Sequence, residues 1–234
     1  MKKLAIFVEG YTEFLFLERL LPEICGAHNV VIEHKEIRGG GKSGKTARRF
    51  STVKAAKPVT NEKYYVLIVD CGGDKLVADK IRDEHNNLSQ AGYSKIIGIR
   101  DLRPNFTQAD IPRLEVDLKK YIKTNLIPVE YILSVMEMEA WFLSEHFHFE
   151  RIDPLLTVEL IKDALGFDPS HDDMQLRLEP QVDLNSCYSL VGKQYIKSDE
   201  ITTDSLDYAH IYVNLQDKIH YLKKLIENID HFLA

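Results

Sequence analysis

The sequence predicts an α/β protein with a doubly wound, mostly parallel sheet and a helical C-terminal extension. Apolar runs of strand length alternate with helix-like stretches up to about residue 145, the order that a parallel sheet with crossover helices requires. Four of those runs close on an acid: Glu9, Asp70, Asp101 and Glu137. Acids so placed mark the carboxyl ends of strands, where open α/β sheets bind ligands. Beyond His146 the alternation stops. Residues 1–145 are therefore the expected α/β domain, and 146–234 a mainly helical extension packed on it.

Residues 4–8 are the first strand. Thr12 is the expected N-cap of a helix over 12–21 that is apolar on more than one face, and Pro22 is expected to kink or end it. A second apolar run begins at Val30 and fades towards Arg38. Gly39-Gly40-Gly41-Lys42-Ser43-Gly44-Lys45-Thr46 satisfies the P-loop pattern G-x-x-x-x-G-K-[ST], and residues 47–57 are expected to be helical. A third strand, 64–69, ends at Asp70, after which Cys71-Gly72-Gly73-Asp74 turns into a helix over 75–90 that Gly92 ends. The fourth strand, 95–99, leads to Asp101. Asp110 is the expected cap of a helix through Leu114, Leu118 and Tyr121. The fifth strand, 131–136, ends at Glu137-Met138-Glu139. In the extension, 157–165 and 188–196 are short pieces. Leu215, Ile219, Leu222, Ile226, Ile229 and Leu233 then step by four and three along one face of a single final helix, 205–232.

A net charge of −6 over 234 residues argues against a chain coated in positive charge. The three cysteines, Cys25, Cys71 and Cys187, are isolated, which indicates neither a disulfide framework nor a thiolate zinc site and suits a reducing cytoplasm. Lys2 and Lys3 precede an apolar run too short for a secretion signal, and no stretch approaches membrane-spanning length.

If the strands are parallel, the four terminal acids line one edge of one sheet. Acids gathered there repel one another unless a cation sits among them, and Mg²⁺ (or Mn²⁺) is the hard ion that oxygen ligands prefer. A basic stretch from Lys35 to Lys57 opposes the single acid Glu36. Lys42, Lys45 and Arg48 are its candidate phosphate-binding residues. Cations that hold a backbone, beside a metal that acts on one phosphate, are what a phosphodiester substrate needs.

Phe7-Val8-Glu9-Gly10-Tyr11-Thr12-Glu13 resembles the first motif of TOPRIM domains, the metal-binding module of topoisomerases, DnaG-type primases and OLD-family nucleases. Val69-Asp70 resembles the start of their second motif. Val135-Met136-Glu137-Met138-Glu139-Ala140-Trp141-Phe142-Leu143 is similar to a segment of a small stand-alone bacterial family of unknown function. The resemblance implies Mg²⁺ held by Glu9 and Asp70, with the glutamate available for acid/base chemistry. Gly72 occupies the position of the motif's second aspartate, and Asp74, Asp101 or Glu137 is left to complete the metal site. Glu13 and Glu139 stand behind these ligands. Lys193 or Lys197, by analogy with nucleases that add a lysine, is a further candidate phosphate contact.

The expected function is Mg²⁺-dependent hydrolysis of DNA or RNA phosphodiesters by a cytoplasmic TOPRIM-like nuclease, with a defence role implied by the family neighbourhood and a homodimer compatible with the chain. Two alternatives stand beside it. One is a P-loop NTPase or phosphotransferase, for which residues 66–70 resemble a Walker B strand. The other is a catalytically silent TOPRIM-like binding module, which Gly72 allows.

Overall fold

A computed structural model describes residues 1–38, 49–57 and 59–234, with Arg38, Asp74 and Lys75 placed by their backbone alone. The chain forms two compact units, one comprising Met1–Arg100, Pro112–Ile132 and Asn228–Ala234, the other Asp101–Ile111 and Leu133–Glu227.

The protein is α/β, built on a six-stranded, mostly parallel sheet. Its strands are β1 (Lys2–Val8), β2 (Val30–Arg38), β3 (Arg49–Lys54), β4 (Tyr64–Asp70), β5 (Lys95–Asp101) and β6 (Val129–Ser134), in the order β3-β2-β4-β1-β5-β6. The pairs β1–β4, β1–β5 and β2–β4 are parallel, and β3 alone is shown antiparallel, to β2. Helix α1 (Tyr11–Cys25) follows β1, and α2 (Asp74–Gln90) follows β4. The first crossover runs one way across the sheet and the second runs back over β1, so right-handed connections put the two helices on opposite faces. Side-chain rows agree. Ile6, Ile68 and His34 share one register row, and His34 stacks on Phe14 of α1, ring centroids 3.7 Å apart. Phe7 and Gly98 share the next row, and Gly98 faces Ile81 of α2.

Burial explains why these runs become strands and helices. Leu4 to Val8, Val66, Ile68, Val69, Ile96 and Ile97 are fully buried, the near-continuous apolar pattern of strands covered on both faces. Helix α1 buries Phe14, Leu15, Phe16, Leu17, Leu20 and Leu21 and continues through Pro22 to Cys25, whereas the sequence led us to expect a kink or stop there. The proline removes one helical hydrogen bond, but burial of each large apolar side chain contributes about 1.5–3 kcal/mol and holds the last turn in place. The helix also starts earlier than expected. Gly10, not Thr12, is the N-cap, and the Glu13 carboxylate reaches back to accept the Gly10 N–H at 3.0 Å.

Two further expectations change. Residues 49–54 are a strand, not a helix, because pairing with β2 decides a segment whose six residues carry no clear period. The GGGKSGKT pattern, with Lys42, Lys45 and Arg48, lies outside the described residues. In the first unit α3 (Ile111–Lys119) precedes β6. The Asp110 carboxylate closes the turn before α3 by accepting the Thr107 N–H and hydroxyl, at 3.0 and 2.9 Å.

The second unit is helical: α4 (Glu139–Ser144), α5 (His148–Ile152), α6 (Val158–Leu165), α7 (Pro180–Ser189), α8 (Glu200–Ser205), α9 (Tyr208–Val213) and the start of α10 (His220–Leu233). The single final helix expected over 205–232 is thus divided. Asp207 caps α9 by accepting the His210 N–H, Asn214 follows its last turn, and Leu206 is extended. Each cap offers the backbone an alternative to continuing the helix. The end of α10 belongs to the first unit, where the Tyr64 hydroxyl donates to the Leu233 carbonyl at 3.2 Å and the Tyr64 and Phe232 rings meet. No described helix is long and apolar enough to cross a membrane.

Candidate functional site

In the first unit the end of β1, the end of β4 and the end of β2 lie side by side. Val8 pairs with Asp70, and Asp70 pairs with Glu36. Glu9 follows Val8 directly and is 8% exposed. The turn after β4 wraps the end of β1: Cys71 N–H donates to the Val8 carbonyl at 2.9 Å and Gly73 N–H to the Glu9 carbonyl at 2.8 Å. The Gly72 N–H donates to Asp70 Oδ1 at 2.8 Å. Gly72 and Gly73 have φ of 73° and 141°, backbone that favours glycine. Gly72 therefore shapes the turn between β4 and α2 through its backbone.

Burial raises the Asp70 carboxyl above its ordinary range, the Gly72 N–H opposes this, and the neighbouring Glu36 carboxylate raises it further. Two acids side by side in a partly desolvated edge favour a bound cation. Among the described residues no group of three or more histidine, cysteine or acidic side chains could hold a metal ion. Mg²⁺ does not need such a cage, because it commonly takes one or two carboxylates together with waters and substrate phosphates. The oxygen donors of Glu9 and Asp70 fit that requirement. Asp74 opens α2 immediately after the glycine turn, and its side chain lies outside the described atoms.

Glu36 is the acid that sequence reasoning missed. It sits in a basic stretch and ends no apolar run, and only its register with Asp70 brings it to the edge. Cys71 is buried, and that burial, with Asp70 beside it, pushes its thiol far up, so it stays protonated and unreactive at neutral pH.

The other sequence-marked acids lie in the second unit and are engaged there. Asp101, 5% exposed, accepts the Met138 N–H on Oδ1 at 3.2 Å. Glu137 accepts the Gln181 N–H at 3.1 Å, at the start of α7, where the helix dipole favours an acid. Glu139 is fully buried, with Oε1 accepting the Tyr195 hydroxyl at 2.9 Å and Lys197 Nζ 3.5 Å away. Just before Glu137, Met136 holds a left-handed φ of 67°, its carbonyl accepting the Arg103 N–H at 2.9 Å. A non-glycine residue held so costs about 1–2 kcal/mol. The turn after β6 thus aims Glu137 and Glu139 into this unit's own packing. Lys193 is exposed in the loop after α7, its N–H donating to the Tyr188 carbonyl at 3.0 Å.

The second unit also holds a buried acid–imidazole pair with no strong sequence signal. Glu145 and His148 are both fully buried, with Glu145 Oε2 3.7 Å from His148 Nδ1. The Glu145 carboxylate accepts the N–H groups of Phe147 and Asp207, each at 3.2 Å. Burial pushes Glu145 up to about 7, with those two N–H groups and Arg151 opposing. Burial also pushes His148 down to about 4, opposed by the Glu145 carbonyl.

The fold and this edge define an α/β protein with a mostly parallel sheet and carboxylates at the ends of adjacent strands. Comparison with family models, with curated proteins and with solved structures gives no match.

Proposed function

We propose that the chain is a cytoplasmic TOPRIM-like nuclease that hydrolyses DNA or RNA phosphodiesters with Mg²⁺ or Mn²⁺, and that it acts in bacterial defence, alone or as a homodimer. The observation that carries this reading is the register Val8–Asp70–Glu36, which sets Glu9 and Asp70 at the ends of adjacent parallel strands, where α/β sheets bind ligands. Glu9 and Asp70 would hold the ion, with Asp74, which opens α2 in the same unit, as a further candidate. When bound, the ion neutralises a phosphoryl oxygen and makes a water acidic enough to attack.

The chain's own residues do the rest. The Gly72 N–H orients Asp70 through Oδ1. Glu9, nearly buried after β1, is placed to take or give a proton at its carboxylate. Glu13 keeps the β1–α1 turn closed through the Gly10 N–H. Lys42, Lys45 and Arg48 contribute positive charge for the phosphates. A nucleotide-binding P-loop has less support, since residues 49–54, where its helix would run, form a strand.

Cleavage of labelled DNA and RNA with and without Mg²⁺ or Mn²⁺ tests the proposal. Glu9→Gln and Asp70→Asn are each expected to lower the rate by roughly 10²-fold or more; a wild-type rate in both removes the assignment, and inactivity of the wild type on every substrate favours the silent binding module. Gly72→Asp offers a converse test. A Cβ at Gly72 meets nothing within 4 Å, so without metal the cost is the left-handed backbone, about 1–2 kcal/mol, together with repulsion between the new carboxylate and Asp70. By titration calorimetry the variant is expected to bind Mg²⁺ more tightly than wild type; unchanged affinity would place the ion elsewhere.

A further inference from the structure

A groove of about 680 Å³ opens in the first unit between the C-terminal half of α1, the first residues of β2 and the segment that follows β3. Its apolar lining comes from Pro22, Val30, Ile32 and Ala55, and its basic side chains are Arg19, His28, Lys54 and Lys57. The two acids in the lining are already engaged. Glu18 is shared between Arg19, at 3.7 Å, and Lys54. Glu62 folds back on its own loop, accepting the Thr60 and Asn61 N–H groups at 2.6 and 3.0 Å. Lys57 and His28 are exposed and have no ion-pair partner among the described residues. The groove thus leaves Lys57 uncompensated at its mouth, while Arg19 and Lys54 share Glu18.

We propose that this groove holds a short stretch of single-stranded nucleic acid, with phosphates on the Lys57, His28, Arg19 and Lys54 side and bases on the apolar lining. The inference rests on the nucleic-acid reading above and extends it by naming the form of the substrate. A cavity of this size accommodates a ligand of ordinary small-molecule dimensions, roughly one or two nucleotides. A volume that takes roughly one or two nucleotides leaves no room for the paired second strand of a duplex. Ile32, at the groove, and Glu36, beside Asp70, lie on the same strand, about 13 Å apart at roughly 3.3 Å per residue. The groove and the carboxylate edge thus lie towards opposite ends of β2, with His34 packed beneath Phe14 of α1 between them.

The test is fluorescence anisotropy of a labelled 12-nucleotide single strand, in DNA and RNA form, with EDTA present so that no metal chemistry contributes. Lys57→Glu is expected to weaken binding at least tenfold and to make the dependence of log affinity on log salt shallower by about 0.7, the loss of one single-strand phosphate contact. Lys123→Glu, the same charge change at an exposed residue outside the groove, is expected to shift affinity less than twofold. Thermal melts check that both variants fold. Equal losses in the two variants, equal affinity for a duplex of the same sequence, or no binding by the wild type overturns the proposal. The two readings fail separately. Loss of cleavage in Glu9→Gln with Lys57→Glu binding unchanged keeps the edge and removes the groove, whereas the opposite pair of results keeps the groove and removes the edge.

Discussion

Replacing Glu145 by glutamine is expected to give the protein a pH dependence of stability that the wild type cancels. Glu145 is raised from 4.5 to about 7 in the fold. Its contribution is fully present below about pH 4.5 and is lost as pH rises towards 7, because there the unfolded chain gives up a proton that the folded chain keeps. His148 is lowered from 6.5 to about 4. Its burial costs nothing above pH 6.5 and progressively more as pH falls towards 4, where only the unfolded chain takes up the proton. Between about pH 4.5 and 6.5 the two slopes are opposite, each about 1.4 kcal/mol per pH unit at most, so the wild type stays nearly flat.

Glu145→Gln deletes one slope and leaves the other. Relative to wild type, the variant is expected to lose on the order of 3 kcal/mol between pH 7 and pH 4.5, measured by urea unfolding at four pH values. A pH-independent loss of about 1–3 kcal/mol adds to this. The amide can accept only one of the Phe147 and Asp207 N–H groups that the carboxylate now takes. Parallel curves for the two proteins would show that the carboxyl titrates normally.

The second large effect is expected at Gly98→Ala. A Cβ there would lie 2.6 Å from Ile81 Cδ1 and 2.9 Å from Tyr131 Cδ1, and both neighbours are buried, Ile81 fully and Tyr131 at 3% exposed. Overpacking of this kind costs about 1–3 kcal/mol, which in a protein of this size lowers Tm by about 2–4 °C per kcal/mol. Ile81→Val removes the Cδ1 atom and alone costs about 0.5–1.5 kcal/mol. The double variant is expected to be more stable than the sum of the singles implies. Strict additivity would mean that α2 does not press on β5 at this point.

The same residues separate what was legible in the sequence from what was not. The alternation of apolar runs and helical stretches is local information, and it identified β1, β2, β4, β5 and β6 and the α/β class. Glu9 and Asp70 were legible for the same reason, since each closes an apolar run. Residues 49–54 were not, because six residues carry too little periodicity to separate helix from strand, and pairing with β2 decides between them. The final helix was read through Asp207 and Asn214 because the spacing of Leu215, Ile219, Leu222 and Ile226 records which face is buried, not where backbone groups leave the helical ladder.

Sequence alone determined the α/β class and the acids at the strand ends. Tertiary structure alone decided which acids become neighbours. The order β3-β2-β4-β1-β5-β6 inserts β4 between β1 and β2, so Glu36 comes to flank Asp70, thirty-four residues away in the chain. Asp101 and Glu137, equally marked in the sequence, instead hold the Met138 and Gln181 N–H groups of the second unit. A strand's own residues specify its faces and its ends. Its lateral partners are selected by burial across the whole sheet, and no local run of sequence encodes that.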